Sequence, residues 1–215
     1  MEAASIHPRP AQGVSPPVAE ERPAASSWTP ANPAPLGLAA FAMTTFVLSM
    51  FNSNLVDERG VPVVLGLALV YGGIVQLLAG MWEFRTGNTF GAVAFSSFGA
   101  FWISFWALEV FYAKSIGGNV GHAVGVYLWA WAIFTAYMMV AAMRVSGAVL
   151  LVFVLLTVTF ILLAIGAVGA HKTATHWGGY IGLATAAAAW YASFAVVTNS
   201  TFKRTVLPVM PLGDR

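Results

Sequence analysis

Cysteine is absent from the 215 residues, so the chain can form no disulfide, thiolate metal site or cysteine nucleophile. Charge is almost as scarce, because Asp, Glu, Lys and Arg make up 8% of the residues, against about 25% in soluble domains. Hydrophobic residues account for 59%. This composition excludes an ordinary soluble domain and indicates a polytopic helical membrane protein. The basic residues behind the net charge of +2 are scattered through short loops, so no nucleic-acid partner is expected.

Motifs for enzyme chemistry are also missing. The sequence has no H-E-x-x-H, G-x-S-x-G or glycine-rich phosphate loop, and no pair of aspartates for head-group chemistry. The spacing of His122, His171 and His176 does not assemble a metal site, and no carboxylate joins them. We therefore predict that the protein is not an enzyme and carries no metal or other cofactor.

Six long apolar runs indicate an all-α fold of six transmembrane helices. Each is close to the ~20 residues that a helix needs to cross hydrocarbon, and short polar or glycine-containing breaks separate them. The predicted spans are 34–56, 61–82, 90–112, 123–143, 148–169 and 177–198. They divide the chain into a tail at 1–31, a membrane domain at 32–200 and a short tail at 201–215. The first tail is rich in Pro, Ala, Ser and Glu, which predicts disorder, and has no apolar core typical of a signal peptide.

The basic residues predict how the protein lies in the membrane. An even number of spans puts both termini on one side, and that side holds Arg9, Arg22, Arg85, Arg144, Lys203, Arg204 and Arg215. The opposite side holds Arg59, Lys114 and Lys172. The positive-inside rule then predicts a multi-pass protein of the cytoplasmic membrane with both termini in the cytoplasm.

Two glutamates lie near the ends of predicted spans. A carboxylate at the bilayer centre costs about 2.5–3.5 kcal/mol on insertion scales, so such residues tend to face a bundle interior or a wet cavity. Glu83 and Glu109 are therefore candidates for a proton-linked role. The alternatives remain open: Glu83 could pair with Arg85 or cap the following turn, and Glu109 could be an interfacial carboxylate near Lys114.

The stretch "NPAPLGL" at 32–38 is a good helix start. With Asn32 as N-cap, Pro33 falls at the first helical position and Pro35 within the first turn, where a missing N–H costs nothing. The amides that stay free, and the positive end of the helix dipole, favour anions. Polar residues inside the spans are few, which suits a narrow path for a small, weakly polar solute. Aromatic residues are plentiful and could form a constriction that gates by dewetting.

Several blocks of the sequence together resemble the acetate uptake transporter family, which includes bacterial succinate–acetate permeases and fungal ammonia–acetate exporters. The blocks are "NPAPLGL" with "MTT" at 43–45, "YGGIVQLLAGMWEFRTGNTFGAVAFSSFGAFW" at 71–102, "GVYLWAWAIFT" at 125–135, "LLAIG" at 162–166 and "FKRTVLP" at 202–208. They occur in the same order as in the family, and the resemblance covers residues 32–208.

The resemblance implies a bundle similar to the bacterial urea channels, assembled as a homo-hexamer with one pathway per protomer. It implies a permease or channel for acetate and related short carboxylates, sometimes succinate, often moved with a proton. Candidate substrate contacts are then Asn32, Pro33, Thr44, Thr45 and Gln76. Two alternatives stay open: a channel of the same fold for a neutral solute such as urea or ammonia, and a non-transporting membrane sensor.

The family's hydrophobic constriction, a Phe, a Tyr and a Leu in bacterial members, falls on Phe41, Phe98 and Leu156. Phe98 departs from the pattern and lacks the tyrosine hydroxyl, so hydrogen bonding to a carboxylate is not expected there. Phe41 lies nine residues after Asn32, about 13 Å along a helix. Phe98 and Leu156 lie eight or nine residues into spans that run in the same direction, so all three are expected at similar depth.

Overall fold

The computed structural model describes residues 28–213, apart from the side chains of Glu58 and Asn119. The predicted disordered tail lies outside the described residues up to position 27, as do positions 214–215. Within the described part, six helices are long and apolar enough to cross a membrane, as predicted. They are α1 (Ala34–Asn52), α2 (Pro62–Thr86), α3 (Thr89–Ile116), α4 (Val120–Ala142), α5 (Gly147–Gly169) and α6 (Lys172–Phe202).

The helix ends differ from the predicted spans where polar groups or backbone strain decide them. α1 ends at Asn52 although Leu55 and Val56 are apolar, because Asn54 has a positive φ of 61° that an α-helix does not accommodate. α6 begins at Lys172, five residues before the predicted span, and includes the polar segment up to His176. A helix can continue through polar residues in the headgroup region, which hydropathy alone does not detect.

Two of the helices contain π-helical segments that the sequence did not predict. In α2, residues Val70–Val75 are π-helical and include the Gly72–Gly73 pair, and Gln76 follows directly. In α3, residues Leu108–Tyr112 are π-helical. A π segment inserts an extra residue into the turn and rotates the side chains that follow, and such segments are frequent at functional sites.

Local capping chemistry explains two tight turns between helices. Gly87 ends α2 in the left-handed conformation, with φ +78°, and the Asn88 side chain accepts a hydrogen bond from the Gly91 amide at 3.0 Å. At the start of α5 the Ser146 hydroxyl accepts from the Val149 amide at 3.2 Å. These are the residue types that helix ends prefer, and they hold α2 against α3 and α4 against α5 as antiparallel neighbours.

Helices α1 and α6 run antiparallel in close contact. The Ser193 hydroxyl donates to the Pro35 carbonyl at 2.7 Å near one end of this pair, and Gly179 lies against the backbone of Asn52 and Ser53 near the other. The start of α1 and the end of α6 therefore share one face of the bundle, here called the proximal face. The opposite face, which carries the loop between α1 and α2, is the distal face.

The segment after α6 folds back along the proximal face. Pro211 forms a β-bridge with Ser146, and the Gly147 amide donates to the Met210 carbonyl at 2.7 Å. Asn199 receives hydrogen bonds on its side-chain oxygen from the amides of Val206 and Leu207. The described part of the predicted 201–215 tail is thus fastened to the turn between α4 and α5.

Because α1 and α6 lie close together at Gly179, we predict that a larger residue at this position destabilises the protein. An added Cβ there would collide with the Ser53 backbone nitrogen, which cannot move without displacing α1. We expect Gly179→Ala to lower the thermal unfolding temperature of the purified protein in detergent. Gly66→Ala is the matched control, because a Cβ at Gly66 meets nothing within 4 Å and alanine is the better helix former. Equal unfolding temperatures for the two variants would contradict this packing.

Candidate permeation pathway

Three cavities follow one another through the centre of the bundle. The proximal cavity has a volume of about 80 Å³, the middle cavity about 30 Å³ and the distal cavity about 320 Å³. Phe41 and Leu156 line both the proximal and the middle cavity. Leu48, Phe101 and Phe160 line both the middle and the distal cavity. Because neighbouring cavities share walls, they form a single file between the two faces, built mainly by α1, α3 and α5.

The three residues expected to form a constriction lie together between the proximal and middle cavities. Phe41, Phe98 and Leu156 come from α1, α3 and α5 and are only 3–4% exposed. The rings of Phe41 and Phe98 have centroids 5.7 Å apart. Phe98 also contacts the rings of Phe134 and Phe153, at 5.4 and 6.0 Å. We call Phe41, Phe98 and Leu156 the first hydrophobic layer.

A second hydrophobic layer separates the middle cavity from the distal one. It consists of Leu48, Phe101 and Phe160, and the two aromatic rings meet edge to face with centroids 5.3 Å apart. Sequence reasoning missed this layer, although helical spacing could have found it. Each member lies three, four or seven residues after a member of the first layer, which places both layers on the same helix faces.

Gln76 is one of two polar residues on the wall of the proximal cavity, the other being Asn88. Gln76 is 1% exposed, and neither its amide nitrogen nor its oxygen finds a hydrogen-bond partner among residues 28–213. An unsatisfied buried polar group costs about 1–3 kcal/mol, so this amide is available to a molecule that enters the cavity. The rest of the wall is mostly apolar, with Leu38, Phe95 and Val152 among its members.

The adjacent threonines Thr44 and Thr45 have different surroundings, although both were predicted to contact the substrate. The Thr44 hydroxyl donates to the Ala40 carbonyl at 2.9 Å, and the side chain packs against Gly72 in the π segment of α2. Thr45 lines the middle cavity, and its buried hydroxyl has no partner within the part of the chain that the structure describes. Thr45 therefore lines a cavity of the bundle, whereas Thr44 lies at a contact between α1 and α2.

α1 begins at Ala34, as the predicted span does, but its N-cap lies one residue later than predicted. Pro33 is the N-cap and its carbonyl accepts from the amides of Leu36 and Gly37, so the helix begins at Ala34. Asn32 still accepts a hydrogen bond from the Ala34 amide, at 2.9 Å. Assigning Asn32 as N-cap and Pro33 as the first helical residue was thus wrong by one position. Asn32 lines a surface groove between α1 and α6, whereas Ala34 reaches the proximal cavity.

Glu83 is buried behind the wall of the proximal cavity. It is 1% exposed, and one carboxylate oxygen accepts from the Asn88 amide at 2.9 Å and from the Thr86 hydroxyl at 3.2 Å. This is the predicted capping arrangement, while Arg85 lies over the ring of Trp28 at 6.0 Å. The other oxygen of Glu83 is buried without a partner in the described structure.

Glu109 lies within the π segment of α3 and lines the distal cavity. Tyr127 lines the same cavity and donates its hydroxyl hydrogen bond to the Phe101 carbonyl at 3.1 Å, so it supports the second layer. The wall of this cavity therefore carries a carboxyl group. Sequence reasoning named Glu109 but could not place it on a cavity wall.

The distal opening brings together charges of both signs. Asp57, Lys172 and His176 line it, together with Asn52, which also lines the middle and distal cavities. Asp57 forms an exposed ion pair with Arg59 at 2.6 Å, and the hydrogen bond from that guanidinium lowers the pKa of Asp57. Asp57 is therefore ionised and paired, and Lys172 adds a positive charge at the opening.

Comparison with known proteins supports this geometry. A solved structure of the bacterial acetate channel SatP superposes with a TM-score of 0.78 at 39% identity, covering 84% of this chain and 99% of the channel. The succinate-acetate/proton symporter SatP of Escherichia coli K12 is 39% identical over 180 residues, which are 83% of this chain and 95% of the symporter.

Fungal relatives are longer than this chain. The ammonia transport outward protein 2 of Saccharomyces cerevisiae is 44% identical over 175 residues, 79% of this chain. The chain spans 62% of the length of that relative. The model of the GPR1/FUN34/yaaH family matches residues 18–214, which include all of the described residues. With six membrane-spanning helices and these similarities, the chain belongs to the GPR1/FUN34/yaaH family.

Proposed function

We propose that this protein is a membrane permease for acetate and related short-chain carboxylates. The observation that carries the proposal is the file of cavities through the bundle, with an unpartnered amide at Gln76 beside the first hydrophobic layer. Two of the similar proteins have names that specify acetate, as a channel and as a proton symporter. A transport role, without chemistry on the solute, also fits the absence of enzyme motifs from the sequence.

The proximal cavity matches the two ends of a short carboxylate. The Gln76 amide nitrogen can donate to a carboxylate oxygen, and the apolar side chains of Leu38, Phe95 and Val152 can cover a methyl group. The first hydrophobic layer then excludes water and larger polar solutes. Because Phe98 carries no hydroxyl, this layer discriminates by size and by the cost of desolvation, without hydrogen bonding.

Movement of a proton with the carboxylate would lower the cost of crossing two apolar layers, because a neutral acid is desolvated far more cheaply than an anion. Glu109 is the better placed of the two candidate carboxylates. It lies on a cavity wall, whereas Glu83 is held by Asn88 and Thr86 behind the wall. We therefore assign the proton-linked role to Glu109 and the capping of the α2–α3 turn to Glu83.

The proposed setting is the cytoplasmic membrane with the proximal face towards the cytoplasm. Arg85 lies in the last turn of α2 at that face, and Arg144, Lys203 and Arg204 follow the ends of α4 and α6 there. The positive-inside rule supports this orientation. Assembly as a homo-hexamer with one pathway in each protomer is proposed by analogy with the family. It agrees with a file of cavities that lies within a single chain.

Acetate flux and its size selectivity test the proposal. We expect purified protein in proteoliposomes to carry labelled acetate well above protein-free liposomes and in preference to urea. Leu156→Ala widens the first layer, so we expect the ratio of butyrate flux to acetate flux to rise on the order of tenfold. An apolar pocket discriminates by about this factor between solutes that differ by one or two methylenes. Leu151→Ala, on the same helix but 50% exposed, is the control.

Two outcomes would count against the proposal. Urea or ammonia flux without acetate flux would favour a neutral-solute channel of the same fold, and no flux of any small solute would favour a sensor. If Leu156→Ala keeps both its acetate flux and the selectivity of the parent protein, the first layer is not the constriction.

Gln76→Leu separates a binding role from a structural one. The substitution removes two polar atoms that have no partner in the described structure, so the unfolding temperature should stay equal or rise. A lost hydrogen bond to a charged ligand is worth about 1.5–3 kcal/mol, so the KM for acetate should rise about tenfold or more. Lower stability with an unchanged KM would show instead that Gln76 serves the fold.

Glu109→Gln tests the proton-linked role, because a neutral amide cannot take up or release the proton. We expect the variant to lose most of the pH dependence of initial acetate flux between about pH 6 and pH 8, where acetate itself is ionised. Leak through protein-free liposomes is subtracted at each pH. The same measurement on Glu83→Gln should give a profile like that of the parent protein. The reverse pattern would assign the role to Glu83.

A further inference from the structure

The segment that follows α6, residues 203–212, supplies hydrogen-bond partners for the start of α5. We call this segment the strap. The first amides of any helix have no partner within the helix itself. In α5 the Gly147 amide donates to the Met210 carbonyl at 2.7 Å, and the Ala148 amide donates to the Val209 carbonyl at 3.3 Å. Two amides that α5 leaves unpaired are therefore bonded to the strap.

The same contacts reach the wall of the proximal cavity. The Leu212 amide of the strap donates to the Val145 carbonyl at 3.2 Å, in the turn between α4 and α5. Val145 and Val149 both line the proximal cavity, and the two amides bonded to the strap lie between them in the chain. Val209 packs against the core beside Val149. The position of the strap therefore determines where this part of the cavity wall lies.

Two side chains of α6 hold the strap in place. The side-chain oxygen of Asn199 accepts from the amides of Val206 and Leu207 at 2.7 and 3.0 Å, and its nitrogen donates to the Leu207 carbonyl at 2.8 Å. The Tyr191 hydroxyl donates to the Pro208 carbonyl at 2.7 Å. Neither Asn199 nor Tyr191 belongs to the wall of the proximal cavity. Any effect of these two residues on a solute in the cavity has to pass through the strap.

We propose that the strap is a movable support for the wall of the proximal cavity, and that Asn199 and Tyr191 are positioning residues that keep it seated. The proposal rests on the function proposed above, in which the solute enters this cavity. When the strap is released, the first amides of α5 lose their partners, and the turn that carries Val145 can shift. The apparent affinity of a site falls by the fraction of molecules in the competent state. Release of the strap therefore weakens binding of the solute and leaves transport at saturating solute unchanged.

Asn199→Leu tests the proposal, because it removes all three hydrogen bonds of this side chain to the strap. We expect the KM for acetate in proteoliposomes to rise about fivefold, as it would if the strap were seated in about one molecule in five. Maximal flux should stay near the parent value, because saturating acetate draws the protein back to the seated state. Tyr191→Phe deletes one hydrogen bond and should raise the KM by a smaller factor. A loss of folded protein would instead lower maximal flux at an unchanged KM.

An engineered disulfide tests whether Asn199 acts through the strap. A Cβ atom at Gly147 would lie 3.2 Å from the Cβ of Met210, close to the ~3.5–4.5 Å that separates these atoms in disulfides. Because the chain lacks cysteine, Gly147→Cys combined with Met210→Cys gives a single defined crosslink. When this pair is added to Asn199→Leu, oxidation should return the KM for acetate to the value of the parent protein. Reduction of the disulfide should raise the KM again.

Thr201→Val is the matched control, because Thr201 lies near Asn199 on α6 and its hydroxyl donates to the Val197 carbonyl within the helix. Its KM should equal that of the parent protein. Either an unchanged KM in Asn199→Leu, or a raised KM that the oxidised disulfide does not restore, would overturn the role of the strap and leave the proposed function intact. Absence of acetate flux in the parent protein would instead overturn the proposed function.

Discussion

The cost of leaving a polar group unpaired inside a membrane determines this structure. In hydrocarbon a backbone polar group has to be bonded within the protein, which is why the membrane part of the chain folds as helices. Side-chain polar groups face the same cost, and most of those in the spans are satisfied locally. The hydroxyls of Thr44, Thr135 and Thr157, for example, each donate to the carbonyl four residues earlier. Against that background, Gln76 and Thr45 are exceptions, because each lines a cavity of the bundle and has a polar side-chain group with no partner in the described part of the chain. We propose that a polar solute passes them.

Those groups alternate with apolar layers along the bundle axis. From the proximal face, the order is Gln76, the first layer, the middle cavity with Thr45, the second layer, and then the distal cavity with Glu109. In the function proposed above, each layer would remove water from the solute, and each polar group would replace part of the lost hydration. Helical periodicity produces the alternation, because residues at i, i+4 and i+7 of α1 are Phe41, Thr45 and Leu48.

Much of the fold could be predicted from the sequence, because crossing hydrocarbon imposes a length and an apolar composition that hydropathy detects. The number of spans was correct, and the three residues of the first layer lie together as the family resemblance implied. The π segment of α2, in contrast, leaves no clear mark in the sequence, yet it directly precedes Gln76. The choice between Thr44 and Thr45 depends on which face of α1 meets Gly72, a tertiary contact that residue type alone does not reveal. The second layer lies one or two helical turns beyond the first on the same helix faces, and its residue types do not differ from those of ordinary apolar packing.

The central claim is that the solute passes through the interior of the chain and not between chains. Because the protein lacks cysteine, a single Ala94→Cys substitution places one thiol on the wall of the proximal cavity. The measurement is acetate flux in proteoliposomes before and after reaction with a small thiol-specific reagent, with labelling checked by mass. We predict that acetate flux is present before labelling of the thiol and is blocked after it. We also predict that high acetate concentrations slow the labelling. Complete labelling with unchanged flux would contradict a pathway through this cavity.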